Sequence, residues 1–214
     1  MNNVVPILAL LWVVGIGQLP GQGILPKYGT PAPAVLASEK LLNLPVPAVR
    51  GRTLTGRMVD AAYFKGRVTL LNFMYLGCQP CMAELPLLKR VSQQYAGRVQ
   101  VLSVVPHPAA RLRRFNGTGN AAEARLRKSL GVGPITHELL PECGEIQAGA
   151  LTTFGPECED IAHRFLVDGY PCSFLIDRRG VIRYVFNGFP TAPPYLAKQE
   201  QTITAAINKL VAEK

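Results

Sequence analysis

The stretch LLNFMYLGCQPCMAELPLL, residues 70–88, decides how this chain is read. It joins an apolar run, rich in residue types that favour buried strands, to a segment whose apolar residues recur at helical spacing. Two cysteines, Cys78 and Cys81, sit at the join. A cysteine in the first turn of a helix has its thiolate stabilised by unpaired backbone N–H groups and the helix dipole, so its pKa falls and its nucleophilicity rises. Cys78 holds that position, and Cys81 lies one turn along on the same face, placed to attack a mixed disulfide formed at Cys78. Pro80 costs no internal helical bond so early in a helix and stiffens the spacer. A structural zinc site usually asks for four ligands, often as two CxxC pairs, whereas Cys143, Cys158, His163 and Cys172 are irregularly spaced. The redox reading is preferred to zinc and to an inert CxxC.

Outward from this stretch, Val68–Tyr75 is expected to be a central strand buried on both faces. The following helix carries Leu85, Leu88, Val91 and Tyr95 as its apolar stripe, with Pro86 as a point of kinking. Val99–Val105 reads as a second buried strand, and the β-helix-β order implies a right-handed parallel crossover. PAARLRRF and AAEARLRKSLGV read as helices separated by NGTGN. Residues 137–160, Gly-rich and acidic with two cysteines, lack a sustained period and read as an insertion. The segment GYPCSFLIDRRGVIRYVFNG then gives a strand at Ser173–Asp177, a turn at Gly180 and an antiparallel strand at Val181–Phe186. Ile203, Ile207, Leu210 and Val211 mark a C-terminal helix. Before the central strand, VPAVRGRTLTGRMVD reads as a hairpin and AAYFKGR as a helical turn.

The 214 residues suit one domain with extensions, large enough to bury a core without disulfide staples. With 48% hydrophobic and 17% charged residues the chain is globular in class, not disordered or fibrous. The formal charge of +9 biases it towards anionic surfaces. No aromatic-interleaved basic strand or Cys/His finger points to nucleic acid, and none is expected as a partner. Residues 1–23 carry an apolar run from Val4 to Gly17, too short for the ~20 residues of a membrane span and closer to a signal-peptide core. No Lys or Arg precedes it and no A-x-A follows it, so a cleaved leader and an uncleaved membrane anchor both stay open. Residues 24–43, rich in Pro, Gly and Ala, read as a linker, and the folded domain is expected over 44–214. The expected location is periplasmic or otherwise outside the cytoplasm, secreted or tethered. There, Cys143 and Cys158, which enclose residues 144–157, are candidates for a structural disulfide.

From about Leu44 to Gly188 the chain resembles the thioredoxin superfamily, particularly the exported TlpA and ResA-like thiol-disulfide oxidoreductases. FKGRVTLLNF, CQPCMAELP and GYPCSFLIDRRGVI carry the resemblance. It implies an α/β thioredoxin-like fold, a central mixed sheet flanked by helices, with an N-terminal extension and an insertion before the strand that follows a cis-proline. By the resemblance Tyr170-Pro171 is that cis step, beside the active-site disulfide, where the backbone pairs with a client peptide; Gly77 and Tyr170 would border the client. Glu84 matches the acid of a CxxCxxE pattern that tunes the cysteines and their protons. As a residue in its own right, Glu84 is either a proton acceptor one turn beyond Cys81 or a solvated helix glutamate. Asn72 stands where cytoplasmic thioredoxins carry a buried Asp.

Two departures stand out. Gly77 replaces the Trp common before the first cysteine, and Cys172 replaces the Thr common after the cis-proline. The sulfur of Cys172 is expected near Cys81, as a third thiol, a soft metal ligand or a buried inert thiol. The resemblance implies no cofactor beyond the disulfide. It implies a client protein bearing cysteines and an upstream dithiol electron donor in the membrane, and places such proteins in cytochrome c or oxidase maturation.

NFMYLGCQPC and LSVVPHPAARLRRF also resemble Sco-type copper chaperones of oxidase assembly, for which two thiolates and a histidine would hold Cu(I). Those proteins space their cysteines by three residues, and their ligand histidine falls here at Gly169, with His107 and His163 only nearby in sequence. A peroxiredoxin's PxxxTxxC pattern is absent.

Overall fold

Residues 36–119, 121–142 and 160–213 are described by the computed structural model. The leader, the first part of the linker, and Cys143 and Cys158 lie outside them. The central element is Val68–Phe73 (β3), buried at all six positions as expected of a strand covered on both faces. It is the middle of a five-stranded sheet. Val99–Val105 (β4) lies beside it in parallel, with Leu70 opposite Val101 and Asn72 opposite Ser103. Beyond β4, Glu138–Pro141 (β5) forms the parallel edge. On the other side, Cys172–Ile176 (β6) runs antiparallel to β3, with Asn72 opposite Ser173, and Ile182–Asn187 (β7) closes that edge antiparallel to β6. The order is β5-β4-β3-β6-β7, a mixed thioredoxin-like sheet.

Helices cover both faces. Gln79–Gln94 (α1) connects β3 to β4 and buries Met82, Leu85, Leu88 and Val91 on one face, where the C-terminal helix Pro193–Ala212 (α5) adds Ile203, Ile207 and Leu210. The helix continues through Pro86, whose ring supplies no N–H for the carbonyl one turn back. Ala109–Asn116 (α2) and Ala122–Ser129 (α3) follow β4, α2 adding Leu112 and Phe115 to the same core. The opposite face holds a second core, in which Phe73, Phe165 and Phe174 meet with ring centroids 5.1 to 5.7 Å apart. Asp160–Arg164 (α4) brings Ile161 and Ala162 to it.

Two expectations need correcting. Glu138–Pro141 falls inside the segment expected to be an insertion, yet it is a strand of the main sheet. Its edge is capped by the small hairpin of Gly51–Arg52 (β1) and Met58–Val59 (β2), from whose turn Leu54 N–H donates to Leu139 O at 2.9 Å. The folded part also takes in residues before the expected start near Leu44. A 3-10 turn at Ala37–Leu41 buries Ser38, whose hydroxyl donates to Asn187 Oδ1 of β7 at 2.9 Å. Both errors have one cause: the contacts that order these residues are distant in sequence, and local composition does not register them.

Candidate active site

Cys78 caps α1. Its backbone is extended (φ −69°, ψ 110°), Pro80 stands in the first turn, and its sulfur accepts the backbone N–H of Cys81 at 3.2 Å. This N-cap bond places the sulfur at the positive end of the helix, where a thiolate would be held. Cys78 and Cys81 are joined as a disulfide, with S–S 2.02 Å, and both residues are buried. Just before them Gly77 takes φ +91°, a left-handed conformation that a side-chain-bearing residue rarely adopts. The loop's form thus favours glycine at the position where the resembling family commonly carries Trp.

The Tyr170-Pro171 peptide is cis, as expected. The carbonyl oxygen of Tyr170 stands 4.0 Å from Cys78 Sγ, so the cis step lies directly beside the disulfide. Tyr170 meets Tyr75 edge-on, ring centroids 5.5 Å apart, bordering the site.

Glu84 is buried, not solvated. Its carboxylate accepts from Asn72 Nδ2 and from the Ser173 hydroxyl, each at 2.9 Å. Burial pushes its pKa up to about 7, against the opposing pull of the two hydrogen bonds. A carboxyl group one turn beyond Cys81 thus titrates near neutrality, within the range useful for taking a proton from a thiol.

Cys172 is not where it was expected. Strand side chains alternate between faces, and from the head of β6 Ser173 points to the Glu84 side while Cys172 packs into the aromatic core on the other face. Its thiol donates to Asn187 Oδ1 at 3.3 Å, and burial pushes its pKa up to about 12. It is a buried inert thiol, the last of the three roles open to it.

His107 supports the active-site loop from below. Its Nε2 accepts the backbone N–H of Leu76 at 3.2 Å, two residues before Cys78, and burial holds its pKa down at about 4. Gly169 and His163 are exposed. Among the described residues no group of three or more His, Cys, Asp and Glu is gathered as a metal site.

Sequence reasoning missed the partners of Glu84. The available signal was a polar residue near the C-terminal end of β3 and of β4 and at the start of β6, Asn72, Ser103 and Ser173, which the register sets side by side.

The AhpC/TSA family pattern matches residues 42–185, from before β1 to within β7, and so takes in the disulfide, Glu84 and the cis-proline. The chain belongs to the AhpC/TSA family. With its thioredoxin-like fold and its Cys78–Cys81 pair it is a thiol-disulfide oxidoreductase of thioredoxin-like type. Among curated proteins, it is 24% identical over 140 residues to "Thioredoxin-like protein YneN" of Bacillus subtilis, covering 65% of this chain and 68% of that protein. A candidate protein disulfide isomerase from Bacteroides thetaiotaomicron superimposes with TM-score 0.56 at 18% identity, covering 80% of this chain and 91% of the other. A candidate thiol:disulfide interchange protein DsbE from Chlorobium tepidum gives TM-score 0.50 at 22% identity over 76% and 95% of the two chains. These structural likenesses establish the fold.

Proposed function

We propose that the chain exchanges disulfides with cysteine-bearing client proteins outside the cytoplasm, acting as a reductase in the maturation of cytochromes c or an oxidase. The observation that carries this reading is the placement of the Cys78–Cys81 disulfide at the start of α1, beside the Tyr170 carbonyl, with Glu84 buried one turn on. In the reduced protein the Cys78 thiolate attacks a client disulfide, forming a Cys78–client bond and releasing one client thiolate. Cys81 gives its proton to Glu84 and attacks the mixed disulfide. The Cys78–Cys81 bond forms and the second client thiolate leaves. The client gains two electrons and, once its thiolates are protonated, two protons; Glu84 returns its proton to solvent.

Gly77, Tyr170 and Pro171 border the client, and the cis step presents the backbone that pairs with it. No cofactor beyond the disulfide enters these steps. A second dithiol protein in the membrane must return the two electrons, and the apolar run from Val4 to Gly17 provides export or a tether. Cys143 and Cys158 are assigned a structural disulfide. Its support is Glu142, whose Oε1 accepts from the backbone N–H groups of Ile161 and Ala162 and so draws together the two ends of the segment containing them.

The test is the reduction potential of the Cys78–Cys81 pair, from equilibration of the protein with thiol buffers and mass mapping. A potential near or below ~−270 mV supports the reductase, and one near ~−120 mV reverses the direction to oxidation. If no reversible Cys78–Cys81 disulfide forms at any poise, the exchange mechanism fails, and Cu(I) titration becomes the measurement of choice.

A further inference from the structure

Glu84 is the end of a hydrogen-bond chain that crosses the sheet. At its start, His137 Nε2 lies 2.8 Å from Ser103 Oγ. The Ser103 hydroxyl donates to Asn72 Oδ1 at 3.1 Å. Asn72 Nδ2 donates to Glu84 Oε2 at 2.9 Å and to Ser173 Oγ at 3.0 Å, and the Ser173 hydroxyl donates to Glu84 Oε1.

With Glu84 ionised, a proton count sets the direction of every bond. A serine hydroxyl has one hydrogen, and that of Ser103 is committed to Asn72 Oδ1. Ser103 Oγ must therefore accept from His137, whose neutral ring carries its proton on Nε2. Burial holds the His137 pKa at about 4, so the ring is neutral at working pH. All donors then point towards the Glu84 carboxylate. If the Asn72 amide were turned over, Oδ1 would face a carboxylate oxygen with no hydrogen between them.

We infer that Ser103 and His137 are positioning residues for the exchange reaction: they hold the Asn72 amide with its N–H towards Glu84, and so set how readily Glu84 takes and returns the proton of Cys81. This rests on the role given to Glu84 above. In the low dielectric of the core each bond polarises the next, so a donor lost at His137 is felt at Glu84. The groups facing Glu84 are Asn72 from β3, Ser173 from β6 and the cysteine pair on its own helix. The charge of Glu84 is also felt by Cys172, on the other face of the sheet. Those around His137 are Ser103 and, lining the same cavity of about 290 Å³ at the sheet edge, Arg67 and Glu138.

The test is a titration of the Glu84 carboxyl carbon by NMR in the full-length oxidised protein. Ser103→Ala and His137→Ala are each expected to raise the proton affinity of Glu84 by about 3- to 10-fold, the size of one lost polarising bond. His137→Gln, which keeps an N–H donor, should stay within about 2-fold of the wild type. Curves for His137→Ala that overlie the wild type overturn the inference. So does a His137→Gln curve displaced as far as His137→Ala, or ring-nitrogen shifts placing the His137 proton on Nδ1 in the unmodified protein. That last measurement needs no variant and decides the matter even if Ser103→Ala does not fold. None of these readouts depends on exchange activity, whereas an unchanged pH profile of exchange in Glu84→Gln would sink the role of Glu84 instead.

Discussion

The two faces of the central sheet are built from the same strands and obey opposite rules. On one, Phe73, Phe165 and Phe174 pack edge to face around Leu71, Leu102 and Leu140, and Cys172 is one more apolar group among them. On the other, beneath α1, a row of Ser103, Asn72 and Ser173 interrupts an otherwise apolar core and converges on Glu84. The first face is stabilised chiefly by removing apolar surface from water, its buried Gln100 being satisfied locally by Thr69 Oγ1 and Tyr63 O. The second gives up some of that gain to keep a carboxyl group close to neutrality next to a disulfide. The difference shows where function sits in this fold: on the face where burial is incomplete in chemical terms, though complete in area.

Truncating the aromatic face should have the largest effect. Phe174 is fully buried, and Phe174→Ala is expected to cost about 3–5 kcal/mol in denaturant unfolding, with the midpoint falling and the slope retained. The reduction potential of the disulfide should not move. A potential that shifted with this variant would mean that the two faces are coupled.

The polar face should answer to pH. The pKa of Glu84 is raised in the folded protein from its ordinary value of 4.5 to about 7, so folding favours its neutral form. The stability it contributes is full below 4.5 and is lost as pH rises from 4.5 to 7. In Glu84→Gln that loss disappears, and the variant should gain on the wild type by roughly 3 kcal/mol across this window, with no further change above it. His107 and His137, both held down at about 4, act in the opposite sense, their contribution being lost as pH falls from 6.5. Both proteins carry them, so they cancel in the difference. A difference independent of pH would show that Glu84 is ionised throughout.

Much of this was legible in the sequence, and the failures follow one pattern. Continuous apolar runs announced β3 and β4, and helical spacing announced α1, because these elements are specified by their own residues. The cysteine pair at a helix start was readable for the same reason; the cis bond at Pro171 came from the resemblance, and the burial of Glu84 was left open by its spacing alone. Glu138–Pro141 was hidden because four residues in a Gly-rich, acidic neighbourhood become a strand only by pairing with β4. The sulfur of Cys172 was set near Cys81 by the resemblance alone, whereas the period-two alternation of β6 turns it to the other face. The same alternation that sends Cys172 away brings Ser173 to Glu84. The chain from His137 was invisible because its members are joined by sheet register and by no spacing along the chain.

The loop before Cys78 offers the smallest and most pointed test, because there neither face decides. A Cβ built on Gly77 meets nothing nearer than Leu126 Cδ2 at 4.0 Å, so space is open, and the constraint is the backbone at φ +91°. Gly77→Ala should therefore cost about 1 kcal/mol, the penalty of holding an L-residue in a left-handed conformation. Gly77→Trp, which restores the residue common in the resembling family, should cost about the same, since the added ring extends into solvent from an exposed position. Equal costs in thermal unfolding would trace the departure at Gly77 to loop conformation. A Trp variant more costly than Ala by a further ~1 kcal/mol would trace it to crowding against α3, and the loop would then be set by side chains, as the two faces of the sheet are.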